Sequence, residues 1–162
     1  MGGICIVDYN FSDFQNDFNG RNIDYGSITE DDREELNLLS IQKSADIVTI
    51  ISDILSYVST MESIELIYNK YDRHPTRVPN PDVPAVQSLV LLLLARIVYT
   101  KIAFIRYDHL YERKINGEFE FSLEPEVNAN ISNILRTIGS YYGLLAAVGI
   151  YNRDLSGPIL GV

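Results

Sequence analysis

The sequence predicts an all-α fold, a bundle of three long helices with a short N-terminal helix. Three observations carry this. Apolar residues recur every seven positions along 47–71, and do so again along 127–148. Between them, residues 89–95 are apolar on every side, as in a helix covered from several directions. Proline and glycine signals fall between these segments and not inside them. The 162 residues suit a single domain over 1–162, with 1–28 and a C-terminal arm at 152–162 as peripheral elements.

At the N-terminus, residues 3–7 read as a short strand. Phe11, Phe14 and Phe18, spaced for one face of a short helix, follow, with Gly20 as its stop. Thr29 opens the first long helix, expected over 30–71. Asp32 stands three residues on as an acidic variant of the capping box, and Glu30, Asp31 and Asp32 suit the positive end of the helix dipole.

The stripe itself is Ile47, Ile54, Met61 and Tyr68 with Ile50, Tyr57, Ile64 and Tyr71, widened by Ile51, Val58 and Ile67. A two-stranded coil would bury a narrower seam, so the stripe is expected to face the interior of the bundle. A break is expected near Ser40–Lys43, where the stripe turns polar. On the same reasoning Ile54, Ile64, Ile134 and Ile138 are expected in the core.

Residues 73–84 hold four of the six prolines and predict an extended connection. Asp82 is the expected cap of a second helix over 83–114, with Pro84 in its first turn. Asn116-Gly117 then has two readings. Either it turns a hairpin whose strand is the alternating Phe119, Phe121 and Leu123, or it simply ends the helix. The third helix, expected over 125–150, carries Val127, Ile134, Tyr141 and Val148 and, in a second row, Ile131, Ile138 and Leu145. Gly139, Gly143 and Ala147 recur every four residues beside them. Glycine inside a helix costs about 1 kcal/mol against alanine, so these three are expected at a close helix contact, in the same chain or another copy. The uncharged tail Leu155–Val162 cannot continue a helix. It is expected to dock as an assembly arm through Ile159, Leu160 and Val162.

Charge and chemistry narrow the function. Residues 1–72 carry 14 acids and 4 bases, and residues 73–162 carry 8 acids and 9 bases. The acidic half opposes nonspecific nucleic-acid binding and suits either solubility or a basic partner. Cys5 is the single cysteine, so no internal disulfide is possible. The N-terminus lacks a secretory pattern, and Ile6 stands where a myristoylation motif wants Ser or Thr. The charge-free runs 83–95 and 137–152 fall short of the ~20 apolar residues of a membrane span. They are expected to be buried core helices, and no membrane span is expected. An intracellular or virus-particle location follows.

No metal spacing, phosphate loop or nucleophile elbow occurs. Asp108, His109 and Glu112 place carboxylates near an imidazole without a nucleophile beside them. No catalytic, cofactor or metal residue is therefore assigned, and the chain is expected not to be an enzyme. The reading that fits best is a structural or assembly subunit, a homo-oligomer such as a filament, capsid or virion component. Two alternatives stand beside it. One is an acidic adaptor or inhibitor that covers a basic surface with residues 8–35. The other is a coat protein that wraps nucleic acid with Arg73, Arg77, Arg96 and Arg106.

Overall fold

The structure is a computed structural model and describes residues 25–156. Cα packing divides the chain into two units, Met1–Glu35 and Leu36–Val162. The expected strand 3–7, the phenylalanine helix at 11–18 and the residues Ile159, Leu160 and Val162 lie outside the described residues.

In the first unit a 3-10 turn, Tyr25–Ser27, leads to the start of helix α1, Glu30–Asn69. The cap forms as its sequence predicts. The Asp32 amide donates to Thr29 Oγ1 at 3.2 Å, and that hydroxyl donates to Asp32 Oδ2 at 2.7 Å. Arg33 pairs with Glu30 across one turn at 3.4 Å.

The second unit holds the rest of α1 with α2, Asp82–Ile115, and α3, Glu124–Ser156. All three helices lie within a few residues of their sequence-predicted bounds, and the fold is all-α. Three local expectations are corrected, and one choice that the sequence left open is decided. First, α1 does not break at 40–43, because its polar residues there are used. Gln42 Oε1 accepts from Arg106 of α2 at 3.1 Å, and Ser44 bonds back to the Ser40 carbonyl. Second, Asp82 does not cap α2. Pro81 stands at the N-cap without a side-chain cap bond, and the Asp82 amide donates to Asn80 Oδ1 in the turn before the helix at 2.9 Å. Third, Asn116-Gly117 ends α2 and starts no hairpin, and no strand occurs among the described residues. Gly117 takes φ +76, and the amides of Gly117 and Glu118 return to the carbonyls of Lys114 and Arg113. That pair of bonds is a Schellman stop, which needs the left-handed conformation glycine tolerates. Fourth, α3 runs through Ser156, so the residues after 152 begin as helix and not as an arm.

The loop after α1 is held by Asn69, whose side chain donates to the Thr76 carbonyl at 2.6 Å and accepts from the Thr76 amide at 2.8 Å. The order of contacts fixes the topology. Gln42, Asp46, Thr49 and Ser52 of α1 meet Arg106, Tyr99 and Ser88 of α2 in descending order. Leu89, Arg96 and Thr100 of α2 meet Gly143, Thr137 and Asn133 of α3, again descending. Each helix is antiparallel to the next, and α2 touches both neighbours.

Candidate functional site

The seam between α1 and α2 is built from small and polar residues. Leu38, Ala45 and Ser52 are the buried residues of α1, seven apart. Ser88, Ala95 and Ile102 are buried on α2, also seven apart. Ser52 is 1% exposed, and its hydroxyl donates to the Ser88 carbonyl at 2.8 Å. With the helices antiparallel, that contact sets Ala45 level with Ala95 and Leu38 level with Ile102. Small residues facing one another at the middle of a seam let two helix backbones approach closely.

Further along the seam, Tyr99 donates to Asp46 Oδ1 at 2.5 Å and lies 3.3 Å from the Thr49 hydroxyl. Burial, and after it the bond to Asp46, holds the Tyr99 phenol above its ordinary pKa.

The seam between α2 and α3 is polar as well. Thr100 and Thr137 sit hydroxyl to hydroxyl at 2.9 Å. Thr100 bonds to the Arg96 carbonyl of its own helix at 2.8 Å, and Thr137 to that of Asn133 at 2.9 Å. Asn130, a turn before Asn133 on the same face, is 7% exposed. Ser140, Leu144 and Ala147 continue this row and are half-buried. Thr100 and Thr137 can sit in such a seam because each finds a partner across it, whereas the Asn130 side-chain oxygen is buried without a hydrogen-bond partner.

The consequence is that the apolar stripes point outward. Ile47, Ile50, Ile54, Tyr57, Met61, Ile64, Tyr68 and Tyr71 are all exposed. At 100° per residue, their stripe centres about opposite Ala45 and Ser52, the face that meets α2. On α3 the stripe of Val127, Ile131, Ile134, Ile138, Tyr141, Leu145 and Val148 is exposed as well, centred about a quarter turn from the row that meets α2. The expected core residues Ile54, Ile64, Ile134 and Ile138 are 56%, 42%, 38% and 48% exposed, so that expectation is corrected for the single chain. The run 137–152 holds no buried residue among those whose burial is described, and 83–95 buries only Pro84, Ser88 and Ala95. The expectation that both are buried core helices is corrected too. All three helices are long and apolar enough to cross a membrane by length and composition, a property the count of charge-free runs did not anticipate.

Gly139 and Gly143 make no close helix contact among the described residues. A Cβ at Gly139 would meet nothing within 4 Å, and one at Gly143 only the Leu89 side chain, at 3.9 Å. Ala147 is half-buried. Among the described residues, no backbone of another helix approaches Gly139 or Gly143 closely.

The remaining chemistry does not converge. Arg73 and Arg77 are exposed in the loop before α2, whereas Arg96 and Arg106 are half-buried on α2. The Arg96 guanidinium lies 5.9 Å from the Tyr99 ring centre, and Arg106 is bonded to Gln42. The four do not form one surface. Asp108 and Glu112 are exposed and His109 half-buried near the end of α2. No group of three or more metal-ligating side chains occurs among the described residues.

Comparisons against family models, curated proteins and solved structures returned no match.

Proposed function

We propose that this chain is a non-catalytic structural subunit that self-associates through the outward faces of its helices, with the apolar C-terminal residues Ile159, Leu160 and Val162 contributing. One observation carries the reading. Two helices keep a seven-residue apolar repeat on a face that their own partners leave open. A soluble monomer rarely exposes a contiguous apolar patch of more than a few hundred Å². A seven-residue repeat is the grammar by which one helix meets another. Subunits of filaments and particle shells have this character, with internal packing that holds the protomer and outer faces that join protomers.

A second reading rests on the same outward surface. Helices that are apolar outside and polar inside, joined by Ser and Thr hydrogen bonds and small residues, also suit a bilayer. Against it, Asp53 and Glu62 fall inside the apolar stretch of α1, and Arg96 and Arg136 lie within those of α2 and α3. A charge at bilayer depth is costly.

One experiment separates the two. The absolute mass of the purified chain is measured over a concentration series, and the same protein is floated with vesicles of neutral and anionic lipid. Growing mass without flotation supports the subunit. Flotation with a detergent-dependent mass supports the membrane reading. A monomer that does not float overturns both.

A further inference from the structure

We infer that α1 pairs with α1 of a second copy, antiparallel, about a two-fold axis at the level of Ser59. This rests on the self-association reading and specifies its interface.

The area is sufficient. Ten large side chains, Ile47, Ile50, Ile51, Ile54, Tyr57, Met61, Ile64, Ile67, Tyr68 and Tyr71, are between 42% and 85% exposed along one run of helix and its final turn. Together they reach roughly the 800 Å² per partner of a stable interface.

The occupant is a helix. Lipid has no register and asks for apolar residues at every outward position. The outward side of α1 instead carries exposed Asp53, Thr60 and Glu65 along the edges of its apolar rows. A partner helix covers the rows and leaves the flanks in water.

Side-chain size selects a second copy in the antiparallel sense. The N-terminal half of the stripe is isoleucine, at 47, 50, 51 and 54. The C-terminal half carries Tyr57, Tyr68 and Tyr71. A parallel pair would stack tyrosine on tyrosine at one end and isoleucine on isoleucine at the other. That interface is thick at one end and thin at the other. Reversing one copy sets Ile47 against the partner's Tyr71 and Ile50 against the partner's Tyr68. It sets Ile54 against the partner's Ile64 and Tyr57 against the partner's Met61. Every layer then has similar volume, as close packing requires.

The same register sets Asp53 level with the partner's Glu65, but on opposite edges of the seam, with Asp53 beside the partner's Thr60 and Ile67 and Glu65 beside the partner's Ile51. The helix dipoles oppose, and a two-fold pairing of one surface with itself closes.

Crosslinking tests this. In a Cys5→Ser background, Ile50→Cys and Tyr68→Cys proteins are made separately and treated with a short bismaleimide, alone and mixed. Both positions are exposed in the single chain, so helical circular dichroism should be retained. The antiparallel pair puts residue 50 about 27 Å from its own equivalent but level with the partner's 68. Doubled mass on a denaturing gel is expected only from the mixture. Doubled mass from each protein alone means parallel pairing and overturns the inference. No crosslinking in a protein whose mass still grows overturns it while self-association through another face stands. No crosslinking in a monomer overturns both.

Discussion

The hydroxyl of Ser52 on α1 donates to the backbone carbonyl of Ser88 on α2, and the two serine hydroxyls lie 3.1 Å apart. Two small polar residues therefore occupy a point where a soluble bundle usually places two large apolar ones. The contact fixes the register of α1 against α2 and turns the isoleucine stripe of α1 away from it.

Enlarging this seam should be costly. Ser52→Leu and Ala95→Leu force methylenes between two close backbones, and each is expected to destabilise the fold by about 1–3 kcal/mol. Ser52→Ala nearly keeps the volume and loses two hydrogen bonds, to the Ser88 carbonyl and hydroxyl, worth about 1 kcal/mol each. Urea denaturation followed by circular dichroism reads all three. A leucine tolerated at both positions would falsify the close seam.

Ile54→Ser and Ile64→Ser should leave the single chain nearly as stable as before, within roughly 0.5 kcal/mol, as expected of exposed sites. Their effect belongs to association. Sedimentation equilibrium should show the mass falling toward that of one chain, with helical content retained. A loss of 2–5 kcal/mol measured on the dissociated chain would instead mean that these side chains are core.

Gly139→Ala is expected to stabilise the dissociated chain by about 0.4–1 kcal/mol, because a methyl group there meets open space and the unfolded chain loses freedom. Gly143→Ala meets only Leu89 at ordinary contact distance and should behave similarly. Measuring both below and above the concentration of association separates the chain from the assembly. A gain that reverses to a loss at high concentration places another copy against this face.

Gly117→Ala should destabilise by about 1–2 kcal/mol, since φ +76 crowds any Cβ against the following carbonyl. Thermal unfolding measures it. Equal stability would show the Schellman stop to be replaceable.

Tyr99 has a pKa raised by burial and by its bond to Asp46, so its proton is held more tightly in the folded chain than in the unfolded one. Its contribution is fully present below the ordinary tyrosine pKa of about 10 and is lost as pH rises from there through the higher folded value. Wild-type stability should therefore fall more steeply above pH 10 than that of Tyr99→Phe. Parallel pH profiles would show that Tyr99 is not coupled to folding.

Much of this was legible in the sequence. The bounds of α1 and α2, the start of α3, the Thr29–Asp32 cap and the helix-ending reading of Asn116-Gly117 all follow from local signals, because caps, prolines and glycines act within one turn of backbone. The facing of the helices was not legible. Helix α1 carries two seven-residue rows on opposite sides, an apolar one, Ile47, Ile54 and Met61, and a buried one, Leu38, Ala45 and Ser52, whose side chains shrink along the chain. Hydrophobic periodicity registers the first and is blind to the second. A signal for the second did exist. Leu38-Ala45-Ser52 and Ser88-Ala95-Ile102 are seven-residue rows that taper in opposite directions along the chain, so that the antiparallel seam sets serine level with serine, alanine with alanine and Leu38 with Ile102.

The sequence by itself determined that three helices form, where each begins, where α1 and α2 end, and that each carries apolar residues in excess; the end of α3 lies six residues beyond the expected one. Only the tertiary structure decided which face the chain keeps for itself. Close approach of two backbones depends on how little side-chain volume stands between them, and hydroxyls can be buried there only when each meets a partner from another helix. Ser52 with Ser88, and Thr100 with Thr137, satisfy both conditions only once residues 36 and 37 positions apart in the chain are brought together.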